Sequence, residues 1–191
     1  METTAAVRLS PLLARFHRKC PEIQVSLRTA PTEFLVKSVL DRSLDGGFVA
    51  GPIDHPELKV QPIFKEELVI VTARRWSSLS AFRAATRESG PSVLVFRTGC
   101  SYRQRLEAVL GKLGWPIAAR LEFGTLDGIL GCVAADVGLT LLPRAVVKQS
   151  GVAEALRIHT LQMPERNMQT LFVYRNDGHE SSALTGFLDC L

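Results

Sequence analysis

The chain has 191 residues, of which 46% are apolar and 22% charged, and its formal net charge is +4. Such a composition belongs to folded globular domains and excludes disordered, collagen-like and cysteine-scaffold chains. The basic residues are scattered. Neither Arg15, Arg18 and Lys19 nor Arg74 and Arg75 make a nucleic-acid arm, so direct DNA binding is not expected of this chain.

Thr3 or Thr4 can cap a helix whose apolar positions, Ala6, Val7, Leu9, Leu12, Leu13 and Phe16, share one face. Pro11 should kink that helix or start a new turn, and Pro21 ends it. Ile23, Val25 and Leu27 alternate with Gln24, Ser26 and Arg28, which predicts a strand with one buried face. A turn at 29–32 leads into a helix carrying Leu35, Val36, Val39 and Leu40. Residues 46–52 read as a short strand closed by Gly51-Pro52. Leu58, Val60 and Pro62 suggest an edge strand, and the apolar run 68–72 a strand buried on both faces.

The alternation then restarts. A helix is expected at 79–86, a strand at 92–96, and a turn at 97–101 opening a helix that Gly114 ends. A strand at 119–123 precedes a helix at 126–135 capped by Thr125. Residues 138–142 form a strand halted by Pro143. A short helix, strands at 156–161 and 168–174, and a helix at 181–191 complete the order. Two successive α/β series without a polar linker predict two lobes joined near Ala73 to Ser77.

Chemistry-bearing motifs are few. There is no GxSxG, HExxH, phosphate loop or dinucleotide fingerprint, and His17, His55, His159 and His179 are dispersed. No enzyme activity, cofactor or metal is expected. Cys20, Cys100, Cys132 and Cys190 lack CxxC or Cys/His ligand spacing, so neither a zinc site nor a disulfide framework is read from them. The N-terminus carries no apolar stretch of signal-peptide type, and no segment reaches membrane-spanning length. The expected location is a reducing cytoplasm.

Cys100 stands at a predicted helix start, where the dipole can favour a thiolate. A redox switch would want a second cysteine nearby, so a packed residue is the reading preferred. The more informative pattern is hydroxyls beside helix N-termini: Thr3, Thr4, Thr29, Thr98, Ser101 and Thr125, with Gly99 and Cys100 in the same turn. Each can simply cap its helix. Gathered at the C-terminal ends of strands in two lobes, they also suit a small anion, probed through free N–H groups and positive dipole ends. Arg97 can add a bidentate partner for a carboxylate, although its direction is not set by sequence.

Residues 11–16 (PLLARF) with 21–25 (PEIQV) resemble the opening of the effector-binding domain of LysR-type transcription regulators. The similarity continues through Leu44-Asp45 to Gly51-Pro52 and through 67–71 (ELVIV). It is strongest at 133–143 (VAADVGLTLLP), with Asp136 where the family usually has glycine. The resemblance implies an α/β fold like type 2 periplasmic binding proteins, two Rossmann-like lobes joined by two crossover strands. Lobe I would take 1–72 plus 170–191, and lobe II 73–169.

The same resemblance implies a small effector in the cleft between lobes, contacted by Thr3, Thr4, Thr29, Thr98, Gly99, Cys100, Ser101 and Thr125. It implies a homodimer, or a tetramer at full length, and DNA bound only through an N-terminal winged helix-turn-helix. That domain and the family's first strand, directly ahead of the first helix, are absent from these 191 residues. Rival functions on this fold are a transporter's solute-binding protein and a small enzyme.

Overall fold

A computed structural model describes residues 8–178 and 181–191. The chain forms two compact units, Met1–Lys65 with Gln169–Leu191, and Glu66–Met168.

In unit 1, helix α1 (Ser10–Lys19) carries Pro11 in its first turn, where a missing N–H breaks no helical bond. Cys20 closes the helix, its N–H reaching the Phe16 carbonyl at 2.8 Å. Helix α2 (Thr32–Leu40) turns Leu35 and Val39 onto strand β1 (Gly46–Ala50). Strand β7 (Asn167–Arg175) pairs antiparallel with β1, from Gly46 opposite Tyr174 to Ala50 opposite Thr170, and has β2 (Leu58–Ala73) as its other neighbour. A second apolar cluster joins Leu12, Phe16 and Cys190 to Phe48 and Phe187, the last on helix α7 (Ser182–Leu188). Its rings meet edge-on or tilted, with Phe16 and Phe187 centroids 5.3 Å apart.

The strand expected at Ile23–Leu27 is not formed. The segment is extended but joins no ladder, and Val25 and Leu27 remain 48% and 55% exposed. Alternating residues supply a face, yet a strand also needs a neighbour's backbone groups, and no described segment offers them. Beside it lies a cavity of about 350 Å³, lined by Leu9, Leu13, Val25, Leu27, Gly47 and Phe187 among others.

In unit 2, the second half of β2 pairs antiparallel with β5 (Thr140–Pro143) on one side and β6 (Leu156–Thr160) on the other. Leu68 to Ala73 are all buried, as a continuous apolar run requires. Strands β3 (Ser92–Phe96) and β4 (Ala119–Phe123) pair in parallel, and Val93 bridges Leu139 at the start of β5. Helices α3 (Leu79–Ala85), α4 (Ser101–Lys112), α5 (Leu126–Ala134) and α6 (Arg144–Lys148) complete the unit. The two strands expected at 58–62 and 68–72 are thus one. The passage from unit 1 to unit 2 falls inside it, at Lys65–Glu66, rather than after it at Ala73–Ser77.

Asp136 adopts φ +63 at the turn after α5, a conformation that glycine takes without strain. Its carboxylate accepts the Trp76 indole N–H at 2.5 Å and pairs with Arg75, which offsets the strain of that conformation. The residue standing in place of glycine therefore ties this turn to Arg75 and Trp76.

His159 is buried on β6, its Nε2 2.9 Å from the Thr72 hydroxyl. Burial, and then the nearby Arg157, hold its pKa below the ordinary value. The unfolded chain consequently binds a proton more readily than the folded one. The stability this ring contributes is present above about pH 6.5, its unfolded value, and is lost as pH falls through and below that point. Thermal midpoints measured from pH 8 to pH 5 should decline more steeply for the wild type than for His159→Gln. Parallel curves would assign the decline to other groups.

Candidate functional site

The parallel register of β3 and β4 sets Phe96 opposite Phe123, so the turns that follow, 97–100 and 124–125, are neighbours at one sheet edge. This is the carboxyl end of parallel strands, where α/β sheets present ligand-binding loops. Gly99 has φ +87, and the chain enters α4 directly after Cys100. At the second turn the Thr125 hydroxyl accepts the Gly128 N–H at 3.2 Å and so caps α5, as its position in sequence suggested. That bond uses the oxygen as acceptor, and its own proton stays available for a ligand.

Arg97 is exposed, and its Nη2 lies 3.7 Å from where a Cβ on Gly124 would stand. The guanidinium therefore reaches from the first turn to the second. Among the described residues it has no ion-pair partner. Arg103, which the sequence reading missed, has the opposite duty. Its side chain donates to the Thr98 hydroxyl at 3.1 Å and to Glu122 at 2.5 Å, with Glu107 at 3.4 Å. Thr98 is thereby engaged inside the protein, and the nearby Glu122 carboxylate is compensated rather than left to repel an anion. The signal available was an arginine in the first turn of the helix after β3, with a glutamate on the strand that follows that helix.

Cys100 is half-buried at the head of α4. Burial pushes its thiol above the ordinary range, and the backbone N–H groups of Arg103 and Tyr102 pull the other way without winning. The packed reading of this residue fits that balance better than an activated thiolate. Ser101 begins α4.

The other expected contact residues lie elsewhere. Thr29 is exposed in unit 1 and lines its cavity, while Thr3 and Thr4 fall outside the described residues. Among the described residues, no group of three or more His, Cys, Asp or Glu side chains is arranged to hold a metal ion, and no helix is long and apolar enough to cross a membrane.

Comparison with known proteins gives one family. The model of the LysR substrate binding domain matches residues 1–191. The HTH-type transcriptional regulators YusT and GltR of Bacillus subtilis (strain 168) are similar, at 42% and 38% identity over 188 residues. Each alignment takes in 98% of this chain and 62% of the regulator, so the chain spans less than two thirds of these relatives. Among solved structures, the regulatory domain of CcmR from Synechocystis PCC6803 in complex with 2-PG superposes with a TM-score of 0.82 at 20% identity. The effector binding domain of QuiR in complex with shikimate does so with a TM-score of 0.78 at 17% identity. Both superpositions cover 98% of this chain and 90% of the other. At such identities they establish the fold, that of LysR effector-binding domains.

Proposed function

The chain belongs to the LysR substrate-binding domain family, and on that premise we propose that it is the effector-sensing part of a longer transcription regulator. It takes up a small anionic metabolite and passes the event on by favouring one conformation, through the effector's differential affinity for two. Catalysis and transport have no comparable support, and the relatives carry the names of transcription regulators. DNA is contacted by a helix-turn-helix domain elsewhere in the longer protein.

The observation that carries this reading is the reach of Arg97 across two helix-opening turns. A carboxylate there meets one cation, the Ser101 and Thr125 side chains and the N-termini of α4 and α5 together. Thr98 supports the turn through Arg103.

A thermal-shift panel of small carboxylates, including shikimate and benzoate, would find a stabilising compound, and calorimetry would give its affinity. Arg97→Ala should weaken binding tenfold or more, since charge-assisted bonds contribute about 1.5–3 kcal/mol. Thr125→Val should cost less. Affinity unchanged in Arg97→Ala, Ser101→Ala and Thr125→Val together would place the ligand elsewhere and end the assignment.

Two further points follow from the resemblance. Of the apolar residues Val7, Leu9, Leu12, Leu13 and Phe16 that would serve pairing with a second copy, Leu9, Leu12 and Phe16 are buried, Leu13 lines the unit 1 cavity and Val7 lies outside the described residues. The unit 1 groove, in contrast, suits the strand that the family places ahead of its first helix. Such a strand, carried by a longer protein, would run between the extended 23–29 segment and β1.

A further inference from the structure

Cys20 and Cys190 are 170 positions apart in sequence, yet both belong to the apolar cluster formed by α1 and the C-terminal end of the chain. Three contacts bring them to one place. The Cys20 thiol sulfur lies 3.1 Å from where a Cβ on Gly186 would stand. The Cys190 sulfur lies 3.3 Å from the carbonyl oxygen of the same Gly186. Immediately before each cysteine, Lys19 Nζ and Asp189 Oδ2 form an ion pair at 2.8 Å.

Cys190 stands in the turn just after α7, where its N–H still bonds the Phe187 carbonyl at 2.9 Å. Both sulfurs therefore lie against one residue, Gly186, the first on the side where a Cβ would stand and the second at its carbonyl oxygen. Gly186 matters here, since any side chain would occupy the space the Cys20 thiol uses.

We propose that Cys20 and Cys190 are a peroxide-oxidisable pair that closes to a reversible disulfide. Cys20 is half-buried and is the sulfur a small oxidant reaches first, whereas Cys190 is only 6% exposed and resolves the product. The Cys20 thiolate attacks one oxygen of hydrogen peroxide, the O–O bond breaks, and a sulfenic acid and water result once the hydroxide is protonated. The Cys190 sulfur then displaces the sulfenic hydroxyl as a second water, forming the S–S bond. Two thiols are oxidised by two electrons and one peroxide is reduced to two waters. Thiol exchange with a small dithiol reverses the bond. It ties the C-terminus of α1 to the turn after α7, two helices that both contribute to the wall of the unit 1 groove.

The test is to treat the reduced chain with one equivalent of hydrogen peroxide, alkylate the remaining thiols and digest with trypsin without reductant. The expected product joins the peptide 20–28 to the peptide 176–191 and has lost the mass of two hydrogens. The free thiol count falls from four to two and returns with dithiothreitol. Cys100→Ser with Cys132→Ser should leave this unchanged, and either Cys20→Ser or Cys190→Ser should abolish it. Full alkylation of Cys20 after peroxide, a Cys20 that stops at sulfinic acid, or a bond to Cys100 or Cys132 instead would each overturn the proposal.

Discussion

Gly138→Ala is expected to destabilise the chain strongly. A Cβ there would stand 2.2 Å from the Ser92 carbonyl oxygen and 2.9 Å from Leu94 Cδ1. The first is backbone and cannot rotate away. Around it the Leu139 N–H donates to Ser92 O at 3.0 Å, and the Leu94 N–H donates to Leu139 O at 2.9 Å. Relieving the clash separates the start of β5 from β3 and breaks both bonds. Overpacking with loss of ladder bonds costs about 3 kcal/mol or more, which lowers the melting midpoint by roughly 6–12 °C. Gly151, where an added Cβ meets nothing within 4 Å, is the control and should shift the midpoint little. Equal midpoints for the two variants would refute the close approach.

The second large effect concerns the groove in unit 1. A chain extended at its N-terminus by a strand of the kind the family places ahead of its first helix should be more stable than residues 1–191. A strand seated there would cover Val25 and Leu27, now 48% and 55% exposed, and pair the backbone of the 24–29 segment. Completing the burial of two large side chains is worth about 2 kcal/mol, and several ladder bonds add about 0.5–1.5 kcal/mol each. A midpoint higher by roughly 10 °C follows. Hydrogen exchange gives a sharper check. Amides of 24–29 should exchange freely in the 191-residue chain and become protected in the longer one; that of Ile23 already bonds the Cys20 carbonyl. Protection already present in the shorter chain would mean the segment is paired after all.

Much of the secondary structure was legible because its causes are local. Pro11 and Pro21 bracket α1, Gly114 follows α4 with φ +60, and Thr125 accepts the N–H three residues on. The same locality explains the failures. Alternation at 23–27 describes a face, but a ladder needs a neighbour. The separation of 58–62 from 68–72 reflected a change of environment along one strand, which Lys65 and Glu66 made look like a break. At the candidate site, hydroxyls at helix starts were visible as residue types. Their engagement was not, since Thr98 accepts from Arg103 while Thr125 caps its helix as acceptor and keeps its proton for a ligand.

By itself the sequence determined the order of elements, the buried run of β2, the signature around Gly138 and hence the family, because periodicity and turn chemistry act over a few residues. Only the tertiary structure decided what lies beside what. Parallel pairing of β3 with β4 brings Arg97 against Gly124, and packing of α1 on α7 brings Cys20 to the glycine that Cys190 also touches. Such contacts join residues far apart along the chain. Their geometry is set by how whole elements pack, which no local pattern records.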